Sequence, residues 1–269
     1  MRPFSEFATE GGSFWAFVKF ITEKLGYTDR RSGLIKSYTY QEIVNLCNSL
    51  DIPATESFID RARRYCEARA DVINNSVQYN LMNAEQAENL FYQIYNDGQF
   101  QSKIIMNKQS GDKKRVSYFT GIITMIAESV LGSANEFDPD PRGLMYLIDN
   151  GKILGNSSRR FDGAYPSIYS PKLVWEIKEY YYTTTFGSRI ADGVYETQLD
   201  GYELNEIYDR TGHKIYHVLF VDSYPVWWEQ GKSYLIRLID TLNMGLVDEV
   251  IFGKEVLTEW EAILSEIRR

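Results

Sequence analysis

Apolar side chains recur every three to four positions through the first 110 residues, the spacing of helices that each bury one face. Phe14, Phe17, Phe20 and Ile21 mark such a face in residues 13–25. A second helix is predicted up to about Leu50, with Ile43, Leu46, Cys47 and Leu50 as its stripe. Thr39 and Glu42, three residues apart, form a capping box at its start. Asp51-Ile52-Pro53 breaks that helix. A third then runs from about Thr55 to Ile73, and a fourth spans roughly 83–95. Residues 97–116 are polar and end in Lys113-Lys114-Arg115, which predicts a boundary between a helical region (1–110) and a second domain (111–269).

From Ser117 the periodicity changes. Residues 117–131 form a strongly apolar helix with one carboxylate, Glu128, near its end. Short strands are predicted at 152–154 and 159–165. Residues 172–181 alternate cleanly, with Leu173, Trp175 and Ile177 on one face and Val174, Glu176 and Lys178 on the other. A helix at 186–207, a strand at 214–221, a helix at 231–242 and a strand at 248–252 complete the chain. Meandering strands followed by helix-linked ones predict an α+β fold, a mixed central β-sheet flanked by helices, behind an N-terminal helical region.

Composition narrows the class. With 44% hydrophobic and 25% charged residues among 269, the chain can bury a core. Cys47 and Cys66 are the only cysteines, which excludes a disulfide scaffold and a four-cysteine zinc site; both lie in or beside apolar stripes and read as core. No apolar run approaches about 18 residues, so no membrane span is expected. Residues 1–6 lack the features of a signal peptide, and a reduced, intracellular setting is expected. The net charge is -8, unevenly spread: residues 1–116 hold 15 Lys and Arg against 14 Asp and Glu, the remainder 14 against 23. The acidic half is read either as a solvated surface or as including carboxylates that hold a divalent metal.

The candidate chemistry lies between residues 161 and 178. Glu176 and Lys178 are two apart on a strand and share a face. Charges on a strand otherwise built of Leu, Val, Trp and Ile are costly unless paired or metal-bound. Asp162 precedes Glu176 by 14 residues, enough for two strands joined by the turn at 166–171 to bring the carboxylates together. Two carboxylates and a lysine at a sheet edge suit metal-dependent phosphodiester hydrolysis: hard Mg²⁺ takes one or two carboxylates plus phosphate and water oxygens. The lysine can orient the attacking water or offset developing charge.

Asp162…Glu176-Ile177-Lys178, set in this order of elements, resembles the PD-(D/E)XK nuclease superfamily over about residues 117–253, and within it a type II restriction endonuclease. The resemblance implies Mg²⁺ as cofactor, double-stranded DNA as partner, a homodimer, and a bacterial or archaeal cytoplasm. It implies Asp162 and Glu176 as metal ligands, Lys178 as the water-orienting lysine, the Ile177 carbonyl as a further ligand and Glu128 as an acidic residue beside the metal. Glu196 or Gln198 would support the site and Arg189 would hold a phosphate. Phe161 stands where many members have proline. The literal Pro139-Asp140 is followed by Pro141 and reads as loop.

The helices before and after Pro53, the second carrying Arg61, Arg63, Arg64 and Arg69, resemble a helix-turn-helix, with Arg61 and Arg64 the candidates for DNA contact. Lys113, Lys114, Arg115, Tyr182 and Thr184 are further candidates for phosphate or base-edge contact, or for plain solvation and packing. His213 and His217 fall in a turn and a strand, which argues against a metal pair. No Walker loop and no Gly-x-Gly-x-x-Gly occurs.

Overall fold

A computed structural model describes residues 1–106, 115–133, 135–182 and 187–269. Helices α1 (Gly12–Leu25), α2 (Tyr40–Ser49) and α3 (Glu56–Val72) pack around a core rich in aromatics, among them Phe7, Phe14, Trp15 and Tyr65. The capping box of α2 forms as its sequence predicts. Thr39 Oγ1 accepts from the Glu42 amide at 3.2 Å, and Glu42 Oε2 accepts from the Thr39 amide at 2.8 Å. α3 continues through a π turn (Ile73–Val77) into a last turn, α4 (Gln78–Asn80).

Helix α5 (Ala84–Asp97) departs from the boundary expected at residue 110. Its Ala87 and Phe91 join the core of α6 (Tyr118–Leu131), so the helical region that stands apart ends near residue 80. Both helices that flank the polar run therefore belong to the second body, because α5 buries its apolar face against α6 rather than against α1 to α3.

After α6, β1 (Tyr146–Asp149) and β2 (Lys152–Asn156) form a separate antiparallel pair. β1 falls within residues 138–150, where the sequence predicts a loop followed by a short apolar stretch. It pairs with its neighbour through Asn150-Gly151, both at positive φ, the turn chemistry that closes a two-residue hairpin. β3 (Gly163–Tyr165), β4 (Leu173–Glu179), β5 (Tyr216–Asp222) and β6 (Glu249–Phe252) make the central sheet in that order. β3 runs antiparallel to β4, and β4, β5 and β6 are parallel. The crossovers are α7 (Ser188–Thr211) and α8 (Lys232–Asn243), and α9 (Glu259–Arg268) ends the chain. The sheet is mixed and flanked by helices, as expected.

The alternation in β4 sorts its two faces. Trp175 meets Trp260 of α9, ring centroids 5.3 Å apart, in the layer that holds α6. Leu219 and Val221, register partners of Glu176 and Lys178, lie in the other layer with Ile190 and Val194 of α7 and Leu235 of α8. Glu176 and Lys178 therefore face α7. At the far edge of the sheet, Val250 of β6 exchanges two backbone hydrogen bonds with Met1, which covers an otherwise open strand edge. Among the described residues no helix is long and apolar enough to cross a membrane.

Candidate active site

Asp162 sits immediately before β3, and its position is fixed from both sides. Its amide donates to the Trp175 carbonyl at 3.0 Å, and its Oδ2 accepts from the Ile177 amide at 2.8 Å. Gly163 makes this approach possible: a Cβ there would lie 1.9 Å from the Trp175 indole. The aspartate is thus hydrogen-bonded to the residue between Glu176 and Lys178, and the three residues expected to act together are assembled at one place on the sheet.

Glu176 and Lys178 are buried, 2% and 5% exposed, and Lys178 Nζ donates to Glu176 Oε2 at 3.1 Å. The lysine stem runs over Gly193 of α7, where a Cβ would come within 3.6 Å of it. Lys178 Nζ also donates to Glu196 Oε2 at 3.2 Å. Glu196 Oε2 in turn lies 2.9 Å from Arg159, whose other terminal nitrogen donates to Asp200 Oδ2 at 3.0 Å. Asp200 is 1% exposed. The result is a chain of charges, Glu176–Lys178–Glu196–Arg159–Asp200, with Asp162 at its side.

The electrostatics follow from that crowding. Asp162 is enclosed by protein on most sides yet open to solvent on one, and that enclosure and the Glu176 charge push its carboxyl up to about 7. Burial and Glu176 push Asp200 up to about 7 as well. For Lys178, burial opposes protonation, but Glu176 and the neighbouring acids outweigh it and hold the amine charged. Glu176 Oε1 and Asp200 Oδ1 are buried without a hydrogen-bond partner. Carboxylates resist one another here, and two of their oxygens have unused lone pairs.

These features bear on Mg²⁺. Among the described residues no three His, Cys, Asp or Glu side chains are grouped as a metal cage. Mg²⁺ does not require one, since it commonly keeps several waters and takes one or two protein carboxylates. Asp162, open to solvent, and Glu176, with a free oxygen, fit that pattern.

The remaining expected residues separate. Glu128 is on α6, in the layer on the far side of the sheet from Glu176 and Lys178. Its two oxygens accept from the Gln101 and Ser102 amides at 2.6 and 2.9 Å, so it fixes a loop and is corrected to a structural role. Gln198 also turns away, donating to Thr241 Oγ1 of α8 at 3.0 Å. Glu196 takes the supporting position instead. Arg189 is exposed at the start of α7, with Tyr180 donating to its backbone carbonyl. Arg115 stacks on Tyr182, its guanidinium 4.6 Å from the ring centroid. Lys113, Lys114 and Thr184 lie outside the described residues.

The arginines of α3 are engaged within the protein. Arg61 pairs with Glu10, Arg64 with Glu6, and Arg63 with Asp60 and Glu67. Arg69 is fully buried against Asp240. The helix-turn-helix resemblance therefore lacks the unpaired basic face that DNA contact by Arg61 and Arg64 requires. Arg159 and Asp200 were missed. A signal existed for Arg159, which with Arg160 stands three and two residues before Asp162; none existed for Asp200, one of several acids on a long helix.

A family model described as a domain of unknown function, DUF7687, matches residues 82–267, more than half of the chain. The chain belongs to the DUF7687 family. A second model of a domain of unknown function, DUF7690, matches residues 1–76. No curated protein and no solved structure matches the chain. The limit of the DUF7687 match at residue 82 agrees with the structural boundary near residue 80. All six charged residues of the site fall inside the DUF7687 part.

Proposed function

We propose that this chain is a Mg²⁺-dependent endonuclease that hydrolyses phosphodiester bonds in double-stranded DNA. The observation that carries the reading is the junction at Asp162. An aspartate from one strand end is hydrogen-bonded to the backbone between a glutamate and a lysine of the next strand, and those two form a buried pair. The order α6, β3, β4, α7, β5, α8, β6, with β3 and β4 antiparallel and β4 to β6 parallel, supports it as the arrangement implied by the PD-(D/E)XK resemblance.

Asp162 and Glu176 would hold the metal, which when bound supplies a Lewis acid for the phosphate and a water of lowered pKa. Lys178, kept charged by Glu176, would hold the attacking water or offset charge that builds on the phosphate. Burial of the Glu176–Lys178 pair in the sheet fixes its geometry before substrate arrives.

The narrower reading, a site-specific type II restriction enzyme acting as a homodimer, needs groups that read bases and a two-fold axis matched to the DNA. The engagement of Arg61, Arg63 and Arg64 in internal ion pairs favours a nuclease of lower sequence selectivity as the second reading. Plasmid incubated with the protein in Mg²⁺ and in EDTA tests both. Discrete fragments that vanish in EDTA support the restriction enzyme, and an EDTA-sensitive smear supports the less selective nuclease. An intact plasmid in Mg²⁺ contradicts both.

A further inference from the structure

Glu196 is held in an unusual way for a side chain 36% exposed. One of its oxygens, Oε2, sits between two cations, 3.2 Å from Lys178 Nζ and 2.9 Å from Arg159. Neither cation depends on it. Lys178 is already paired with buried Glu176, and Arg159 with buried Asp200. Asp200 anchors the guanidinium from behind and leaves its second terminal nitrogen directed at Glu196. A buried ammonium and an anchored guanidinium converging on one oxygen anion form the arrangement that a phosphate oxygen would take.

Charge balance points the same way. With both aspartates ionised, four carboxylates (Asp162, Glu176, Glu196 and Asp200) surround two cations, Lys178 and Arg159, a surplus of two negative charges, which a divalent cation would cancel. Exchanging the Glu196 carboxylate for one singly charged phosphodiester would then leave the balance unchanged. Removing Glu176 would instead take the buried partner from buried Lys178, and removing Asp200 would release the guanidinium that it anchors. Glu196 lies at the solvent side, and its departure leaves both cations with a buried partner.

We propose that Arg159 and Lys178 form a binding point for a substrate phosphate, and that Glu196 fills it as a displaceable stand-in while no substrate is bound. The inference rests on the reading of the site as a phosphodiester site. It makes Arg159 a substrate-binding residue and Glu196 an internal competitor of DNA.

Equilibrium binding separates the two claims. The full chain and its variants are titrated against a short fluorescent duplex by anisotropy, over a salt series, in Ca²⁺, a hard cation that takes the same kind of oxygen ligands. Glu196→Gln removes the competing charge without shortening the side chain. It should tighten binding roughly three- to tenfold, the worth of one charged contact. It should also steepen the dependence of log K on log salt by about one, the signature of one added phosphate contact. Arg159→Gln in the Glu196→Gln background should reverse both changes. Thermal unfolding of each variant reports whether it is folded. If duplex binds to wild type and Glu196→Gln with the same affinity and slope, the stand-in role is wrong while the nuclease reading stands. If no folded form binds duplex at any salt, the phosphodiester reading fails and the inference fails with it.

Discussion

At the scale of single residues, the decisive feature is that Glu176 and Lys178 are buried as well as charged. Replacing Lys178 by methionine would leave the Glu176 charge uncompensated at 2% exposure, a cost of about 3–5 kcal/mol. Lys178→Met should therefore lose stability as well as any cleavage. The double variant Glu176→Gln, Lys178→Met should regain most of the stability and none of the cleavage, as read by urea unfolding beside a plasmid assay. A double variant as unstable as the single one would show that the pair is not the electrostatic unit described. Burial of this kind was legible in the sequence, because a Glu and a Lys on one face of a strand of Leu, Val, Trp and Ile must be paired to be tolerated. Asp162 was legible from its spacing. Arg159 and Asp200 were not, since charged residues on a loop and on a long helix are ordinary, and only the docking of α7 brings the two together. Glu128 was misplaced because a sequence does not tell which face of a sheet a helix covers.

At the scale of elements, two strand ends carry constraints that can be measured. Gly163 lets the end of β3 lie against the Trp175 ring, and with it Asp162 against the Ile177 amide. Gly163→Ala should cost about 1–3 kcal/mol, as overpacking does, and should reduce cleavage more than that loss of folded protein explains. Unchanged stability would mean that β3 does not sit this close. At the other end, Asp222 closes β5, fully buried, accepting from the Met82 and Ser223 amides at 2.7 and 2.9 Å and from the Tyr181 hydroxyl. Burial pushes its carboxyl from 3.8 up to about 8. Its folded value thus lies above its unfolded one, so between about pH 4 and pH 8 the unfolded chain binds fewer protons and stability falls as pH rises. Buried Glu179, pushed up to about 7, acts in the same direction. The urea midpoint should drop from pH 5 to pH 8, and Asp222→Asn should flatten the drop; an equal slope in the variant would remove Asp222 as its source. Most of these elements were legible from periodicity and caps, with β4 the clearest. β1 escaped because its four residues alternate too briefly, although Asn150-Gly151 marked the turn. The boundary lies earlier than the polarity at 97–116 predicts, because the apolar face of α5 belongs to the layer of α6.

At the scale of the whole molecule, the parts matched by the two family models are joined by a buried ion pair. Arg69 of α3 donates twice to Asp240 of α8, at 2.8 and 3.0 Å, with Tyr65 and Thr22 completing the group. Arg69→Met should cost about 3–5 kcal/mol in urea unfolding by stranding Asp240, and Arg69→Met with Asp240→Leu should recover much of it. A single variant as stable as wild type would show that the joint does not depend on this pair. The N-terminal part is thus tied to α8 through this pair, and its Arg61, Arg63 and Arg64 are engaged in ion pairs of their own. In the proposed function, a chain of net charge -8 would have to draw DNA through local cations and through a metal at the acidic site. The most direct test of that site uses Asp162, because it is solvent-open and its replacement leaves the core untouched. The measurement is the rate at which supercoiled plasmid is cut in Mg²⁺ by wild type and by Asp162→Asn. The account predicts cutting by wild type and a loss of about 100-fold or more in the variant, the scale of removing one preorganised charged group from a site; equal rates, or no cutting by wild type, would contradict it.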